Sequence, residues 1–369
     1  MPRTHVTWAE IDLAALAANV RALRGVLGTG VELIAVVKAD AYGHGAVPVA
    51  RTALRAGATR LAVHRLEEGI ALRRAGIHVP ILVLGYVPLD AVGTLIRYRL
   101  TPTVNTAAFA RALDAQATSP YPVHVKVDTG LSRYGLPPED VLPFIAMLRR
   151  RPHIYVEGIY THFATADEAD PTPMYRQFRH FRDVLDTLNA RGIVIPLRHA
   201  CNSAATLRFP QAHLDAVRPG IALYGLRPSP DWPSPIPLRP VLTLKSVVTR
   251  VRTLPSGTGI GYGRTFITER PTRVALVPIG YGDGYPRLLS NRGAVLIRGR
   301  RARILGRVSM DQIVVDVSHI PEVRVEDEVV VIGRQGEEHI TAEEVAHWAQ
   351  TINYEITTGL TARVPRLYL

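Results

Sequence analysis

The three lysines of this sequence are the first candidates for chemistry, because few positions could supply a reactive amine. The chain has 369 residues and 44 lysine and arginine residues, but only Lys38, Lys126 and Lys245 are lysines. Schiff-base catalysis requires a lysine that burial or neighbouring charge keeps neutral. Lys38 follows the apolar run 33–37 and precedes the Gly-containing sequence ADAYGHG. We predict that Lys38 is the reactive amine; the alternative is a solvated lysine at a strand end.

The elements that would position this lysine are short apolar runs that alternate with helical patterns. Amphipathic stretches such as 175–190 lie between the runs, with apolar residues near helical spacing. Strand and helix in alternation are typical of βα units, and eight units favour a (β/α)₈ TIM-type barrel over an open sheet. The eight runs are 33–37, 61–63, 81–84, 101–104, 123–127, 156–160, 197–199 and 216–221.

Polar residues stand where these runs end, which is where barrel enzymes carry their chemistry. Residues scattered over a surface would not coincide with strand ends so regularly. The residues in question are Lys38 after the first run, Lys126, Asp128 and Arg133 after the fifth, His162 after the sixth, Asn202 and Ser203 after the seventh, and Arg218 and Gly220 at the eighth.

A proline-rich segment divides the chain. Six prolines in 228–240 exclude a continuous helix or an interior strand there. Beyond it, β-branched runs at 247–251, 274–279, 294–297, 313–317 and 328–332 predict a mostly β domain, interrupted by one helix capped at Thr341. We therefore expect a barrel domain over 1–230 and a β domain over 231–369, with the N-terminal strand free to pack on the second.

Composition and charge argue against several classes of function. The net charge is +12, but the 41 arginines are spread along the chain and interleaved with acidic residues, so we expect no nucleic-acid partner. No apolar stretch is long enough to span a membrane, and we predict neither membrane binding nor a metal site. The single cysteine, Cys201, excludes an internal disulfide and is consistent with a reducing compartment. We interpret it as a packing residue. We expect a cytoplasmic protein.

Nine segments in order along both domains make the chain resemble the alanine racemases, pyridoxal-phosphate enzymes built from a barrel and a β domain. The resemblance covers essentially the whole length. Ser309 departs from it, since many members have cysteine there. The segments are AVVKADAYGHG, VKVDTGLSRYG, YTHFATAD, HACNSAAT, VRPGIALYGL, GIGYGRTF, GYGDGYPR, GRVSMDQ and INYEITTGLTARVPR.

The resemblance implies how the catalytic residues act. Lys38 would bind the cofactor covalently and move a proton on one face of the substrate, while Tyr262 from the partner subunit of a homodimer would act on the other. Tyrosine is a poor base at its usual pKa near 10, and His162 and Arg218 match the residues that assist it. Arg218 would also face the ring nitrogen of the cofactor, which a guanidinium leaves unprotonated.

Binding roles follow from the same resemblance. The cofactor would contact Tyr42, His162, Asn202, Ser203, Arg218, Gly220, Ile221 and Tyr354. Arg133, the backbone of Met310, and Asp311 would receive the substrate, with Tyr281 and Tyr354 narrowing the entrance for a small side chain. In many members the lysine matching Lys126 is carbamylated and braces the arginine.

Several alternatives stay open. Tyr262 could be an ordinary strand tyrosine, Arg218 a surface residue at a turn, Asn202 and Ser203 helix caps, and Lys126 with Asp128 a solvated pair. The expected activity is interconversion of L- and D-alanine, supplying D-alanine for peptidoglycan. The alternatives are a racemase of serine or of several small amino acids, a decarboxylase with the same fold, and a non-catalytic carrier of pyridoxal phosphate.

Overall fold

The computed structural model describes residues 5–229 and 231–369, which form two compact units. One unit contains Leu16–Ala41 and Ala46–Arg239. The other contains the described residues up to Ala15, together with Tyr42–Gly45 and Pro240–Leu369. The predicted domain limit falls at Pro230, which lies outside the described residues, as does the start of the chain at 1–4. That limit stays a prediction.

Eight parallel strands form a nearly closed barrel in the first unit, which confirms the predicted fold class. Neighbouring strands pair in the order β5, β4, β3, β2, β9, β8, β7, β6, and a bridge between Thr103 and His124 links the two ends of this order. After β1 (Thr7–Ile11), the strands are β2 (Glu32–Val36), β3 (Arg60–Val63), β4 (Ile81–Val83), β5 (Thr101–Pro102), β6 (Tyr121–Lys126), β7 (Ile154–Tyr160), β8 (Leu197–His199) and β9 (Ala216–Val217).

Helices connect these strands, and the longest of them buries one apolar face. The helix predicted over 175–190 spans Thr172–Ala190, and Phe178, Phe181 and Leu185 on one of its faces are buried. The helices are α1 (Leu13–Gly25), α2 (Ala46–Arg55), α3 (Leu66–Arg74), α4 (Val92–Arg97), α5 (Ala107–Gln116), α6 (Pro138–Arg149), α7 (Thr172–Ala190) and α8 (Ser203–Arg208).

The second unit is mostly β, as the β-branched runs predict. A seven-stranded sheet has the order β16, β15, β18, β10, β1, β20, with β19 paired to β18, and the other strands form a three-stranded sheet, β11-β14-β17, and the pair β12-β13. The strands are β10 (Leu242–Val247), β11 (Arg250–Leu254), β12 (Gly259–Ile260), β13 (Phe266–Ile267), β14 (Thr272–Val277), β15 (Ala294–Ile297), β16 (Arg300–Arg303), β17 (Ile313–Asp316), β18 (Glu328–Gln335), β19 (Glu338–Ile340) and β20 (Arg366–Tyr368).

Two details of this unit differ from the sequence pattern. The apolar run 247–251 is not one strand, because the chain leaves β10 and enters β11 in a different sheet at Val248 and Thr249. The predicted helix α9 (Ala342–Ala349) is present, and Thr341 Oγ1 accepts its cap bond from Glu344 N–H at 3.0 Å. A second helix, α10 (Asn353–Thr358), was not predicted, because its sequence NYEITT is poor in helix-favouring residues.

Across 5–229 and 231–369, no helix has the length and apolar character that crossing a membrane requires.

Candidate active site

Lys38 stands at the carboxyl end of barrel strand β2, as predicted. The strand itself is buried, whereas Lys38 is partly exposed. Burial lowers the pKa of the Lys38 amine, the Arg133 guanidinium lowers it further, and the Glu68 carboxylate opposes both. A larger fraction of this amine is therefore neutral near pH 7 than for an ordinary lysine, which is the state that attacks an aldehyde.

The backbone after Lys38 adopts a conformation that its sequence does not suggest. Ala39, Asp40 and Ala41 are left-handed, with φ of 51°, 51° and 54°, and Tyr42 continues this turn at φ 54°. Each non-glycine residue in this region costs roughly 1–2 kcal/mol. Asp40 offsets part of the cost, since its Oδ1 accepts a 2.7 Å bond from Ala46 N–H. Such concentrated strain is typical of functional sites.

Arg218 lies buried at the end of β9, with only 3% of its surface exposed. Its Nη2 donates to the carbonyls of Thr161 at 2.7 Å and Ala200 at 3.1 Å, and lies 3.3 Å from His162 Nδ1. The guanidinium also lies 4.9 Å above the ring of Tyr160. Burial lowers the pKa of Arg218 to about 10, which still leaves it cationic at neutral pH. It is a fixed cation in the barrel interior and not a surface residue at a turn.

A chain of histidines runs from Arg218 through the barrel. Nη1 of Arg218 is 2.5 Å from His199 Nδ1, and Nε2 of His199 is 2.9 Å from His124 Nδ1. His124 Nε2 then lies 3.1 Å from Oε2 of Glu157, whose Oε1 accepts from Arg60 at 2.9 Å. Burial lowers the pKa of both histidines. Sequence reasoning missed this chain, although a histidine inside each of two apolar barrel strands was a usable signal.

His162 joins this cluster from the end of β7. Burial and then the Arg218 guanidinium hold the pKa of His162 well below its usual value, with smaller contributions from Arg133, Lys126 and Lys38. The imidazole is therefore neutral at pH 7. The structure thus brings four other predicted residues, Lys38, Lys126, Arg133 and Arg218, within electrostatic reach of His162 at one end of the barrel.

The loop that carries Arg133 is built around Asp128. Its Oδ1 accepts bonds from the N–H groups of Gly130, Leu131 and Ser132 at 3.0–3.1 Å, and Oδ2 accepts one from Arg133 at 3.2 Å. Burial alone would raise the pKa of this carboxyl, but the N–H groups of Ser132, Gly130 and Leu131, together with the Lys126 ammonium, lower it. Asp128 is therefore a structural centre of the loop and not half of a solvated pair.

Lys126, the last residue of β6, is buried and donates to the carbonyl oxygen of Tyr134. Burial lowers the pKa of its amine to about 8; Asp128 partly opposes the shift, and Arg133 and Arg218 add to it. By contrast, Lys245 in the second unit forms ion pairs with Glu10 and Glu328 at 3.1 and 3.2 Å. Of the three lysines, Lys38 and Lys126 therefore have the depressed pKa that amine chemistry requires.

Ser203 and Asn202 follow β8 and have different partners. Oγ of Ser203 accepts bonds from the N–H groups of Gly220 at 2.8 Å and Ala222 at 3.3 Å, which leaves the hydroxyl proton to donate to an anion. Asn202 caps α8 through a 3.0 Å bond from Ala205 N–H to Oδ1, the alternative raised by the sequence. Ile221 begins the 3₁₀ turn Ile221–Tyr224, directly after Gly220.

In the second unit, Tyr42 and Tyr354 form a ring pair with centroids 6.1 Å apart. Tyr42 is buried, and burial raises the pKa of its phenol. The neighbouring Gly43 permits a close backbone approach, since a Cβ there would lie 2.1 Å from the carbonyl oxygen of Thr357. Arg366 Nε donates to the Gly43 carbonyl at 2.9 Å. Both predicted tyrosines are thus neighbours on this unit.

One segment, Gly306–Met310, supports the other predicted residues of the second unit. A Cβ on Gly261, beside Tyr262, would lie 3.3 Å from Arg307 N, and one on Gly306 would lie closer still, 2.6 Å from the Ile260 carbonyl oxygen. On the other side, Tyr281 N–H donates to the Ser309 carbonyl at 3.1 Å. The side chains themselves face solvent: Tyr262 is 71% exposed, Met310 51% and Tyr281 42%.

Asp311 adjoins this segment and pairs with a residue that sequence reasoning missed. Arg363 Nη2 lies 2.7 Å from Asp311 Oδ1, and its Nε lies 3.3 Å from Asp283 Oδ1. The other oxygen of Asp283 accepts from Gly280 N–H at 3.0 Å. Through its contacts with both carboxylates, Arg363 therefore joins the loop before Tyr281 to the loop after Met310.

Two family models match the chain: "Alanine racemase, N-terminal domain" over residues 11–228 and "Alanine racemase, C-terminal domain" over 241–368. Among curated relatives, an alanine racemase of Halothermothrix orenii is 50% identical over 99% of this chain and 97% of its own length. One from Desulforamulus reducens is 50% identical over 98% of each chain.

Solved structures agree. The alanine racemase of Bacillus anthracis with bound L-Ala-P matches with a TM-score of 0.94 and 41% identity, covering 100% of this chain and 96% of that one. The alanine racemase from E.faecalis matches with a TM-score of 0.95 and 39% identity over the full length of both chains. On both domains and over its full length, this chain belongs to the alanine racemase family, the isomerases that interconvert L- and D-alanine.

Proposed function

We propose that this chain racemises alanine by a two-base mechanism with pyridoxal phosphate bound at Lys38. The observation that carries the proposal is the environment of Lys38: a strand-end amine with a lowered pKa, in a barrel end that also holds Arg133, His162 and Arg218. A neutral amine can attack the aldehyde of the cofactor. The only other lysines, Lys126 and Lys245, are engaged with Tyr134 and with Glu10 and Glu328.

The barrel residues fit the cofactor. When bound, pyridoxal phosphate withdraws electrons from the substrate and so makes the proton on Cα acidic. The buried Ser203 hydroxyl has its proton available for the phosphate. We assign Arg218 to face the ring nitrogen: arginine can only donate, and its bonds to Thr161, Ala200 and His199 hold it as a fixed cation in the barrel.

Racemisation requires a base on each face of the substrate, because the proton leaves one face of a planar carbon and returns to the other. We assign one face to Lys38 and the other to Tyr262 of the partner subunit. The 71% exposure of Tyr262 leaves its phenol accessible to a partner subunit, which supports an intermolecular role. Neutral His162 and cationic Arg218 are the groups that would assist the phenol.

We assign substrate binding to Arg133 and to the segment that carries Met310. The guanidinium of Arg133 matches a carboxylate, and four backbone bonds to Asp128 hold its loop in place. Tyr281 stands on the same segment as Met310 and would narrow the entrance, which favours the methyl side chain of alanine over larger ones. Supply of D-alanine for peptidoglycan and a cytoplasmic location, which a single cysteine favours, stay predictions.

Trapping tests the covalent assignment. Borohydride treatment of the purified protein with pyridoxal phosphate, followed by peptide mapping, should place the reduced adduct on Lys38. An adduct only on another amine would contradict the proposal. Loss of optical activity, measured for each amino acid of an L-amino acid panel, shows whether the protein racemises alanine alone or also serine and other small amino acids.

Mixing two inactive variants tests the two bases and the shared site together. Lys38→Ala and Tyr262→Phe should each abolish racemisation, whereas Tyr155→Phe, on an exposed tyrosine of β7, should be neutral. If each site takes Lys38 from one subunit and Tyr262 from the other, a dimer of one Lys38→Ala and one Tyr262→Phe subunit has one site that lacks both groups. Its second site retains both groups and is intact. Reassociation of equal amounts should therefore restore about a quarter of the wild-type activity. No recovery in mixed dimers would show that Lys38 and Tyr262 act from one chain.

A further inference from the structure

Glu68 joins the ends of two neighbouring barrel strands through the two oxygens of its carboxylate. Oε1 accepts a 2.6 Å bond from the N–H of Ala39, which follows β2 and Lys38. Oε2 accepts from the N–H groups of His64 at 2.8 Å and Arg65 at 2.9 Å, which follow β3. One side chain thus satisfies three backbone donors on two loops.

Half of this arrangement has an ordinary explanation. Glu68 is the third residue of helix α3, and its bond from Arg65 N–H is that of a capping box. Capping the helix occupies Oε2. It does not account for Oε1, which is directed away from the helix to a residue 29 positions earlier in the chain.

The residue that Oε1 holds begins the left-handed turn after Lys38. Ala39, Asp40 and Ala41 all have φ near 50°, where alanine and aspartate are strained. Without a partner at its first amide, the turn would gain freedom to relax to ordinary backbone angles. Such relaxation would rotate the peptide adjoining Lys38 and displace the amine. A charge-assisted bond at this amide is therefore placed where it opposes that relaxation.

The other end of the Glu68 bridge is rigid. Gly85 N–H donates to the His64 carbonyl at 3.1 Å, and the two residues pack so closely that a Cβ at position 85 would lie 2.5 Å from that oxygen and 2.8 Å from the imidazole. The amides of His64 and Arg65 thus cannot readily follow the carboxylate if it moves. Glu68 transmits the fixed position of this strand end to the turn at Ala39.

We propose that Glu68 is a positioning residue for Lys38: its carboxylate holds the strained turn that sets the direction of the reactive amine. The proposal rests on the assignment of Lys38 as the cofactor lysine. The Glu68 charge also opposes the effects of burial and Arg133 on the Lys38 amine, which places it within electrostatic reach of that group.

The test compares loss of this bridge with loss of an ordinary helix cap. Glu68→Ala removes both acceptors, and Glu68→Gln leaves one. Thr106→Ala is the matched control, since Thr106 Oγ1 caps α5 in the same barrel through Phe109 N–H at 3.2 Å. Glu67→Gln changes the exposed neighbouring charge. Hydrogen exchange of the full-length holoenzyme is followed in peptides covering 39–41 and 107–116, together with kcat and KM.

We expect Glu68→Ala to speed exchange at 39–41 by about ten- to a hundredfold, the change expected for loss of a charge-assisted bond. We expect kcat to fall by a similar factor with KM changed by less than about twofold, because the amine is misdirected and not removed. Glu68→Gln should show the same effects at reduced size. Thr106→Ala should affect only 107–116, and Glu67→Gln neither peptide.

Wild-type exchange at 39–41 in Glu68→Ala would overturn the proposal, as would faster exchange with wild-type kcat. If Lys38 is not the cofactor lysine, the borohydride adduct of the wild-type protein would map to another residue. The exchange experiment would still report whether Glu68 holds the turn, so the two failures can be told apart.

Discussion

The guanidinium of Arg218 lies 2.5 Å from Nδ1 of His199, inside the barrel. Arginine can only donate, so this bond makes Nδ1 an acceptor and leaves the ring proton of neutral His199 on Nε2. That proton is directed at His124 Nδ1, which by the same logic directs the His124 proton at Glu157. One cation therefore sets the tautomers of two buried histidines.

Arg218→Lys should lower the racemisation rate although it keeps the charge. A single ammonium cannot reach His199 and the carbonyls of Thr161 and Ala200 together, so buried acceptors lose partners. We expect kcat to fall by about ten- to a hundredfold, consistent with loss of one or two buried bonds. Arg198→Lys, at a partly exposed pair with Asp215, is the control. A wild-type rate in Arg218→Lys would show that the fork geometry is unimportant.

The stability of the protein should fall as the pH drops from 7 to 5.5. His124, His162 and His199 have folded pKa values below the usual value, so the unfolded chain binds more protons than the folded one below about pH 6.5. Each histidine then costs up to about 1.4 kcal/mol per pH unit. Urea unfolding midpoints across this range measure the slope. A flat wild-type profile would contradict the neutral assignments of these three histidines.

Lys126 should form a carbamate with carbon dioxide. The neutral amine attacks the carbon of CO₂, a proton is released, and the product carries a negative charge within electrostatic reach of Arg133. Because the pKa of Lys126 is about 8, the neutral fraction and the carbamate should rise as the pH rises through that value. Carbon-13 NMR with labelled bicarbonate measures it, and Lys126→Met should lack the signal. A signal unchanged by that substitution would assign the carbamate elsewhere.

Asp128→Ala should weaken alanine binding more than it slows chemistry. The change removes the acceptor of four backbone N–H groups in the loop that ends at Arg133. We expect KM to rise about tenfold with a smaller change in kcat, because Arg133, the proposed partner of the substrate carboxylate, is misplaced in the ground state. Asp140→Asn, at an exposed position in the first turn of α6, is the control. Equal losses in both variants would point to surface charge alone.

Gly306→Ala should destabilise the second unit and reduce activity. Gly306 has φ 77°, and a Cβ there would lie 2.6 Å from the Ile260 carbonyl oxygen. Gly336→Ala is a matched control with φ 62° but its nearest atom 3.9 Å away. We expect both to lose about 1 kcal/mol from backbone strain, and Gly306→Ala to lose about 1–3 kcal/mol more. Thermal unfolding and kcat measure the difference, and equal melting temperatures would exclude the steric contribution.

The sequence predicts those residues of the site that lie at the ends of their own strands. Lys38, His162 and Arg218 were predicted because parallel strands of a barrel bring their carboxyl ends together. Asp128 and Asn202 were predicted as well, but the partners that show what they do are backbone amides, and sequence cannot show which amides are free.

The residues that were missed act through partners distant in the sequence. His124 and Glu157 lie within strands, where the role of a polar side chain is clear only once its neighbours are known. Glu68 has the pattern of a helix cap, and its second bond crosses to another strand. The left-handed turn after Lys38 consists of residues that seldom adopt it, so tertiary contacts must impose it.

The five residues from Gly306 to Met310 carry a consequence for anyone wishing to alter which amino acids this enzyme accepts. The loops that carry the proposed base Tyr262 and the proposed entrance residue Tyr281 both contact that one strip of main chain, so a substitution that widens the entrance at Tyr281 would also disturb the support of Tyr262. Redesign of specificity would therefore have to vary Tyr281 together with the strip while keeping Tyr262 unchanged.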